Sequence, residues 1–174
     1  MQNTKYDYSS VHIDVPAPLA DEIVAWGREN ITDEEIFVSQ QDPTFGRENE
    51  IHVTILYGLH SESSDQVKEL LVAEKPIKVR LGVTQVFSNP LKFDVVVVRA
   101  ISHDLRRLNR KLAANVEYTN RYGEYNPHVT VAYVKKGKGW QHGRHDQWRH
   151  REFICESVVF SSKNGTKDRI FLGQ

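Results

Sequence analysis

His128-Val129-Thr130-Val131-Ala132-Tyr133 (HVTVAY) repeats, almost letter for letter, an earlier stretch, His52-Val53-Thr54-Ile55-Leu56-Tyr57 (HVTILY). The offset is 128 − 52 = 76 residues in a chain of 174. Side chains alternate between the faces of a strand. His52 and Thr54 therefore share one face, as do His128 and Thr130, and the valines point the other way. One such triplet is a weak pattern. A second His matching Val, Thr and Tyr at the same offsets, among eight histidines, is expected by chance at roughly a per cent.

The elements around each copy match as well. "SSVHIDV" reads as a strand, with Val11, Ile13 and Val15 alternating against polar neighbours. A helix follows from about Leu19, with Ile23 and Trp26 on its apolar face. "EEIFVSQ" reads as a short strand. The polar "QDPTFGRENE" is a loop that leads into the first motif strand. "SSDQVKELLVAE" reads as a second helix, with a capping box from Ser63 to Gln66. "IKVRLGVTQVF" and "FDVVVVRAI" are strands turned at Asn89-Pro90. A third helix opens at Ser102 and buries Leu105, Leu108 and Leu112. The loop "NRYGEYNP" precedes the second motif strand. "FICESVVFSS" and "DRIFLG" read as a closing hairpin turned at Asn164-Gly165. Each motif strand thus follows a strand–helix pair. The expectation is one α+β domain, 1–174, made of two intimately packed lobes, with two antiparallel sheets lining a central cleft and helices outside.

Composition narrows the function classes. Lys plus Arg equals Asp plus Glu at 23 each, so nucleic acid is not held by bulk charge. A single cysteine, Cys155, fits a reducing compartment. With no long apolar run and a polar start lacking a signal-peptide core, the expected location is cytoplasmic, with no membrane contact. Nothing calls for an obligate protein partner, so a monomer is expected.

If the halves pack about a pseudo-twofold, both His–Thr faces meet at one cleft. Imidazole titrates near neutral pH, so one His can accept a proton while the other donates one. Thr54 and Thr130 can hold the non-bridging oxygens of a phosphoryl group. That points to phosphodiester chemistry with no cofactor and no metal. The residues leave open which His is the base. A module that binds a nucleotide without turning it over is the alternative.

With these motifs the sequence resembles the two-histidine (2H) phosphoesterase superfamily, in particular its bacterial and phage 2′-5′ RNA ligase-like group. The resemblance implies a bilobal, pseudo-twofold 2H phosphoesterase fold. It implies cleavage of 2′-5′ linkages or of 2′,3′-cyclic phosphates in RNA ends, oligonucleotides or cyclic nucleotides, so the expected partner is a ribonucleotide or RNA-end substrate. Degradation of a cyclic (oligo)nucleotide immune signal is a further possibility within that class. The catalytic residues it implies are His52, His128, Thr54 and Thr130.

Other residues are candidates for binding substrate. Tyr57 and Tyr133 lie five positions after their His, so a regular strand turns them to the opposite face, where they pack; a bulge would reverse this. Lys135 sits at the expected cleft rim. Arg47 enters the first motif strand and could pair with a phosphate. Phe45, Tyr122, Tyr125 and Trp140 occupy loops near the motifs and could stack on a base. The run "HGRHDQWRH" has no recognised zinc spacing and reads as a solvated or substrate-lining loop. His12, His60 and His103 have no partner pattern and read as structural.

Overall fold

The computed structural model describes residues 6–90 and 92–174; most of the polar start read above, residues 1–5, lies outside them. The strands are β1 (Ser9–Asp14), β2 (His52–Leu59), β3 (Ile77–Ser88), β4 (Phe93–Ile101), β5 (His128–Lys135), β6 (Glu152–Cys155), β7 (Ser157–Ser161) and β8 (Lys167–Phe171). The helices are α1 (Leu19–Asn30), α2 (Asp65–Leu71) and α3 (His103–Asn115).

All strand pairs are antiparallel, in the order β6-β3-β4-β5-β2-β1-β7-β8. Instead of the two sheets expected, the strands form one eight-stranded sheet, whose halves are β6-β3-β4-β5 and β2-β1-β7-β8. They join at the motif strands through the pair Val53 and Val129. The unit β1-α1-β2 recurs as β4-α3-β5, which is the pseudo-twofold that the repeat implies.

The segment read as one closing strand, "FICESVVFSS", is two. Glu156 alone separates β6 from β7, yet these strands stand first and seventh in the order. A flat sheet would hold them roughly 29 Å apart at about 4.8 Å per strand. One residue spans only about 3.5 Å, so the sheet must curl on itself. The Cys155 thiol accordingly reaches the Asp14 carbonyl of β1 at 3.3 Å. "EEIFVSQ" is also not a strand. Its first two residues end a 3-10 turn, Asp33–Glu35, whose capping box runs from Thr32 to Glu35, and a single bridge from Ile36 to Val134 follows. The capping box read at Ser63 and Gln66 does not form: Gln66 instead donates to the Asn115 carbonyl at 2.6 Å.

The helices cross over. Helix α1 packs on β5 and α3 packs on β2, so each covers the motif strand of the opposite half. Ser102 caps α3, its Oγ accepting the Leu105 N–H at 3.1 Å. Leu105, Leu108 and Leu112 are fully buried, each worth about 1.5–3 kcal/mol relative to an exposed side chain. At the approach of α1 to β5 the helix carries Gly27, where a Cβ would meet Val131 Cγ1 at 2.9 Å.

Candidate active site

The pair Val53–Val129 fixes the geometry of the motifs. In an antiparallel ladder its neighbours follow: His52 lies beside Thr130, and Thr54 beside His128. All four are half-buried, while Val53, Ile55, Val129 and Val131 between them are buried. Two imidazoles and two hydroxyls thus form a quartet on one face of the seam.

The two histidines are held alike. His52 Nδ1 lies 2.6 Å from the Glu50 carbonyl and His128 Nδ1 lies 2.7 Å from the Asn126 carbonyl. A carbonyl only accepts, so each Nδ1 carries the proton. In the neutral ring Nε2 then holds the lone pair. Burial pushes the pKa of His128 down, the Asn126 carbonyl pulls it up, and nearby His52 adds to the lowering; the net is below the ordinary value. The surroundings of the pair differ. Phe87 sits edge-on against His128 with ring centres 4.8 Å apart, whereas His52 has the ring of His12 at 4.9 Å.

Both motif strands carry a bulge at the third residue after the histidine. Val11 pairs with Leu56 and His12 with Thr54, leaving Ile55 as the extra residue; Val96 pairs with Ala132 and Val97 with Thr130, leaving Val131. An extra residue restores the parity. Tyr57 and Tyr133 therefore lie on the face of the histidines, not on the opposite face that a regular strand requires. The carbonyls displaced from the ladder find partners: Asn109 of α3 donates to Ile55 at 2.7 Å, and the Glu48 N–H donates to Val131 at 3.0 Å.

The loops that precede the motifs exchange sides. Phe45, before the first motif, packs on Tyr133 of the second with ring centres 5.1 Å apart. Tyr122, before the second motif, packs on Tyr57 of the first at 5.8 Å. Each aromatic is followed by a glycine with positive φ, Gly46 at 100° and Gly123 at 71°. Phe37 and Phe93 complete the cluster at Tyr133. Tyr8 joins the one at Tyr57, with the Arg121 guanidinium 5.0 Å above its ring. The matched "FG" and "YG" dipeptides were a sequence signal for this crossing.

The remaining predicted residues fall in different places. Lys135 is exposed at the end of β5, opposite Phe93. Trp140 is exposed in the 3-10 turn Trp140–His142. Tyr125 is not a free stacking surface: its hydroxyl donates to the Thr54 carbonyl at 2.8 Å and braces the first motif. Arg47 is not offered to a phosphate. It donates to the carbonyls of Gly27 at 2.8 Å and Ile31 at 2.6 Å, and pairs with Asp33 at 2.9 Å.

The run after Lys138 is anchored, not merely solvated. Trp148 is buried against Trp26, whose ring His142 and His145 also meet edge-on. His142 bonds Glu35 at 2.9 Å. Burial raises the Glu35 pKa, but the Thr32 N–H, His142 and the Thr32 hydroxyl outweigh it and hold it at about 2. Among the described residues no group of three or more His, Cys, Asp or Glu is placed to hold a metal.

His12 reads as structural from the sequence and Asp14 does not stand out there, yet both lie beside the first motif. In register they stand across from Thr54 and His52. The matching positions of the other half, across from Thr130 and His128, are Val97 and Arg99. The available signal was their place on the polar side of the alternating strand "SSVHIDV".

A family model described as the 2′-5′ RNA ligase superfamily matches residues 16–164, more than half of the chain. No curated protein matches. Among solved structures, TT0787 of Thermus thermophilus aligns with a TM-score of 0.66 at 15% identity, covering 95% of this chain and 98% of that one. E. coli LigT complexed with 3′-AMP aligns at 0.62 and 15% identity, over 98% and 99%. Kluyveromyces marxianus Usb1 aligns at 0.61 and 13% identity, over 95% and 98%. At such identities the likeness carries the fold alone.

Proposed function

The chain belongs to the 2′-5′ RNA ligase superfamily, and from that premise we propose that it is a phosphoesterase acting on RNA ends or nucleotides by two-histidine acid–base catalysis. The observation that supports this most is the quartet across the Val53–Val129 seam, with both Nδ1 atoms tied to backbone carbonyls.

In this reading the phosphorus of the substrate sits between His52 Nε2 and His128 Nε2. At a 2′-5′ linkage one histidine takes the proton of the neighbouring 3′-hydroxyl, whose oxygen attacks phosphorus. The bond to the departing 5′-oxygen breaks, and the other histidine protonates that oxygen. The products are a 2′,3′-cyclic phosphate and a free 5′-hydroxyl. On a cyclic phosphate, water takes the place of the attacking hydroxyl and one ring P–O bond breaks. Thr54 and Thr130 donate to the non-bridging oxygens as charge grows on them. The lowered pKa of His128 suits it to the base role in the free enzyme.

No step needs a metal, so turnover should persist in EDTA. The test is to incubate the protein with a 2′-5′ dinucleotide and with a 2′,3′-cyclic nucleotide and to follow kcat/KM against pH. A bell-shaped profile is expected, with its acid limb below the usual histidine value of about 6.5. Tight binding with no product on either substrate would replace the enzyme by a binding module.

A further inference from the structure

Beside His52 the site face opens into a cavity of about 430 Å³ that has Asp14, Glu50, Lys167 and Arg169 among its walls and His12 on the side of His52. It departs from the pseudo-twofold, because the matching places of His12 and Asp14 in the other half are Val97 and Arg99. Val15, Ala20 and Val159 supply apolar lining.

The charges come in pairs. Arg169 meets Asp14 Oδ2 at 2.7 Å, His12 Nε2 lies 3.4 Å from Asp14 Oδ1, and Lys167 meets Glu50 at 2.9 Å. Burial, with His52 alongside, pushes His12 down to about 4, so at neutral pH it adds no charge. The walls therefore sum to zero: two cations and two carboxylates. A phosphate entering here would face both carboxylates at the cations it seeks. An uncharged planar ring with donors and acceptors along its edge fits better, since apolar walls take its face and the paired charges its edge.

Among the four RNA bases, guanine places two adjacent N–H donors, N1–H and N2–H, where one carboxylate can accept both, while its O6 and N7 accept from a cation. Asp14 suits that carboxylate. It stands directly across from His52 in the ladder, and its side chain remains 46% exposed. We propose that this cavity is a base-recognition subsite that takes the guanine of a nucleotide whose phosphate lies between His52 and His128. Asp14 accepts from N1–H and N2–H, and Arg169 donates to O6. This rests on the phosphoesterase reading for where the phosphate sits.

The experiment compares kcat/KM for the 2′,3′-cyclic phosphates of guanosine, inosine, adenosine, cytidine and uridine. Guanosine should lead by roughly tenfold or more. Inosine, which lacks the N2 amino group, should lose most of that lead. In Asp14→Asn the ratio of guanosine to adenosine should collapse toward one; because both substrates are read on one preparation, partial misfolding cancels. Equal rates for all bases, or a guanosine lead that survives in Asp14→Asn, would overturn the subsite and leave the phosphoesterase standing. If no substrate turns over, the functional reading fails, and calorimetry of 3′-GMP against 3′-AMP decides the subsite alone: at least tenfold tighter GMP supports it, equal affinity ends it.

Discussion

Val53 and Val129 face each other as the pair through which β2 meets β5, and both are fully buried. A single residue pair thus joins the two halves of the sheet at the place where the two histidines flank it. What holds the histidines in register lies largely behind the seam, in the crossed helices and the loops that exchange sides.

The bulge at Ile55 depends on Asn109, which bonds its displaced carbonyl at 2.7 Å. Asn109→Ala removes that donor and should cost about 1–3 kcal/mol of stability. Urea denaturation reads the cost. Because the bulge turns Tyr57 toward the histidines, kcat/KM should fall in the folded fraction as well.

Two glycines share left-handed backbone but not surroundings. At Gly58, with φ of 100°, a Cβ would lie 2.2 Å from the Thr119 carbonyl oxygen. At Gly123, with φ of 71°, nothing lies within 4 Å. Gly123→Ala should cost only the conformational term, about 1–2 kcal/mol. Gly58→Ala should leave no cooperative unfolding transition at the temperature where wild type is folded, because the obstacle is backbone. Thermal melts of the two variants separate these outcomes.

Arg47 ties the end of α1 to the loop before β2 through two carbonyls and Asp33. Arg47→Ala should lower stability by about 2–3 kcal/mol while leaving KM for a cyclic nucleotide unchanged in the folded protein. A KM raised tenfold with stability intact would return Arg47 to the substrate.

These residues mark how far the sequence could be read. The quartet was legible, because a strand's alternation needs only local spacing and the repeat supplies the symmetry. The side of Tyr57 and Tyr133 was not. Bulges at Ile55 and Val131 are set by partners on α3 and in the Glu48 loop, far along the chain. "FICESVVFSS" reads as one strand because its apolar residues run on; the break at Glu156 comes from curling of the whole sheet. Arg47 looked free because nothing local announces the carbonyls of Gly27 and Ile31. His12 looked structural because its neighbour His52 lies forty residues on (52 − 12 = 40).

His12 also links stability to pH. Its folded pKa of about 4 lies below the unfolded value of 6.5. Between those values the unfolded chain binds a proton that the native protein does not. Stability should therefore fall as pH drops from about 6.5 to about 4 and level off below, by at most about 3 kcal/mol. His12→Gln should remove this part of the slope, which urea midpoints at pH 7.5 and pH 4.5 would measure. An identical slope in wild type and variant would contradict it.

The most direct measurement of the central claim is hydrolysis of a 2′,3′-cyclic nucleotide in EDTA by wild type, His52→Ala and His128→Ala. The account predicts turnover by wild type and a loss of about 10²–10⁴-fold in kcat for each variant, with far-ultraviolet circular dichroism unchanged. Wild-type activity abolished by EDTA, or either variant as active as wild type, would contradict it.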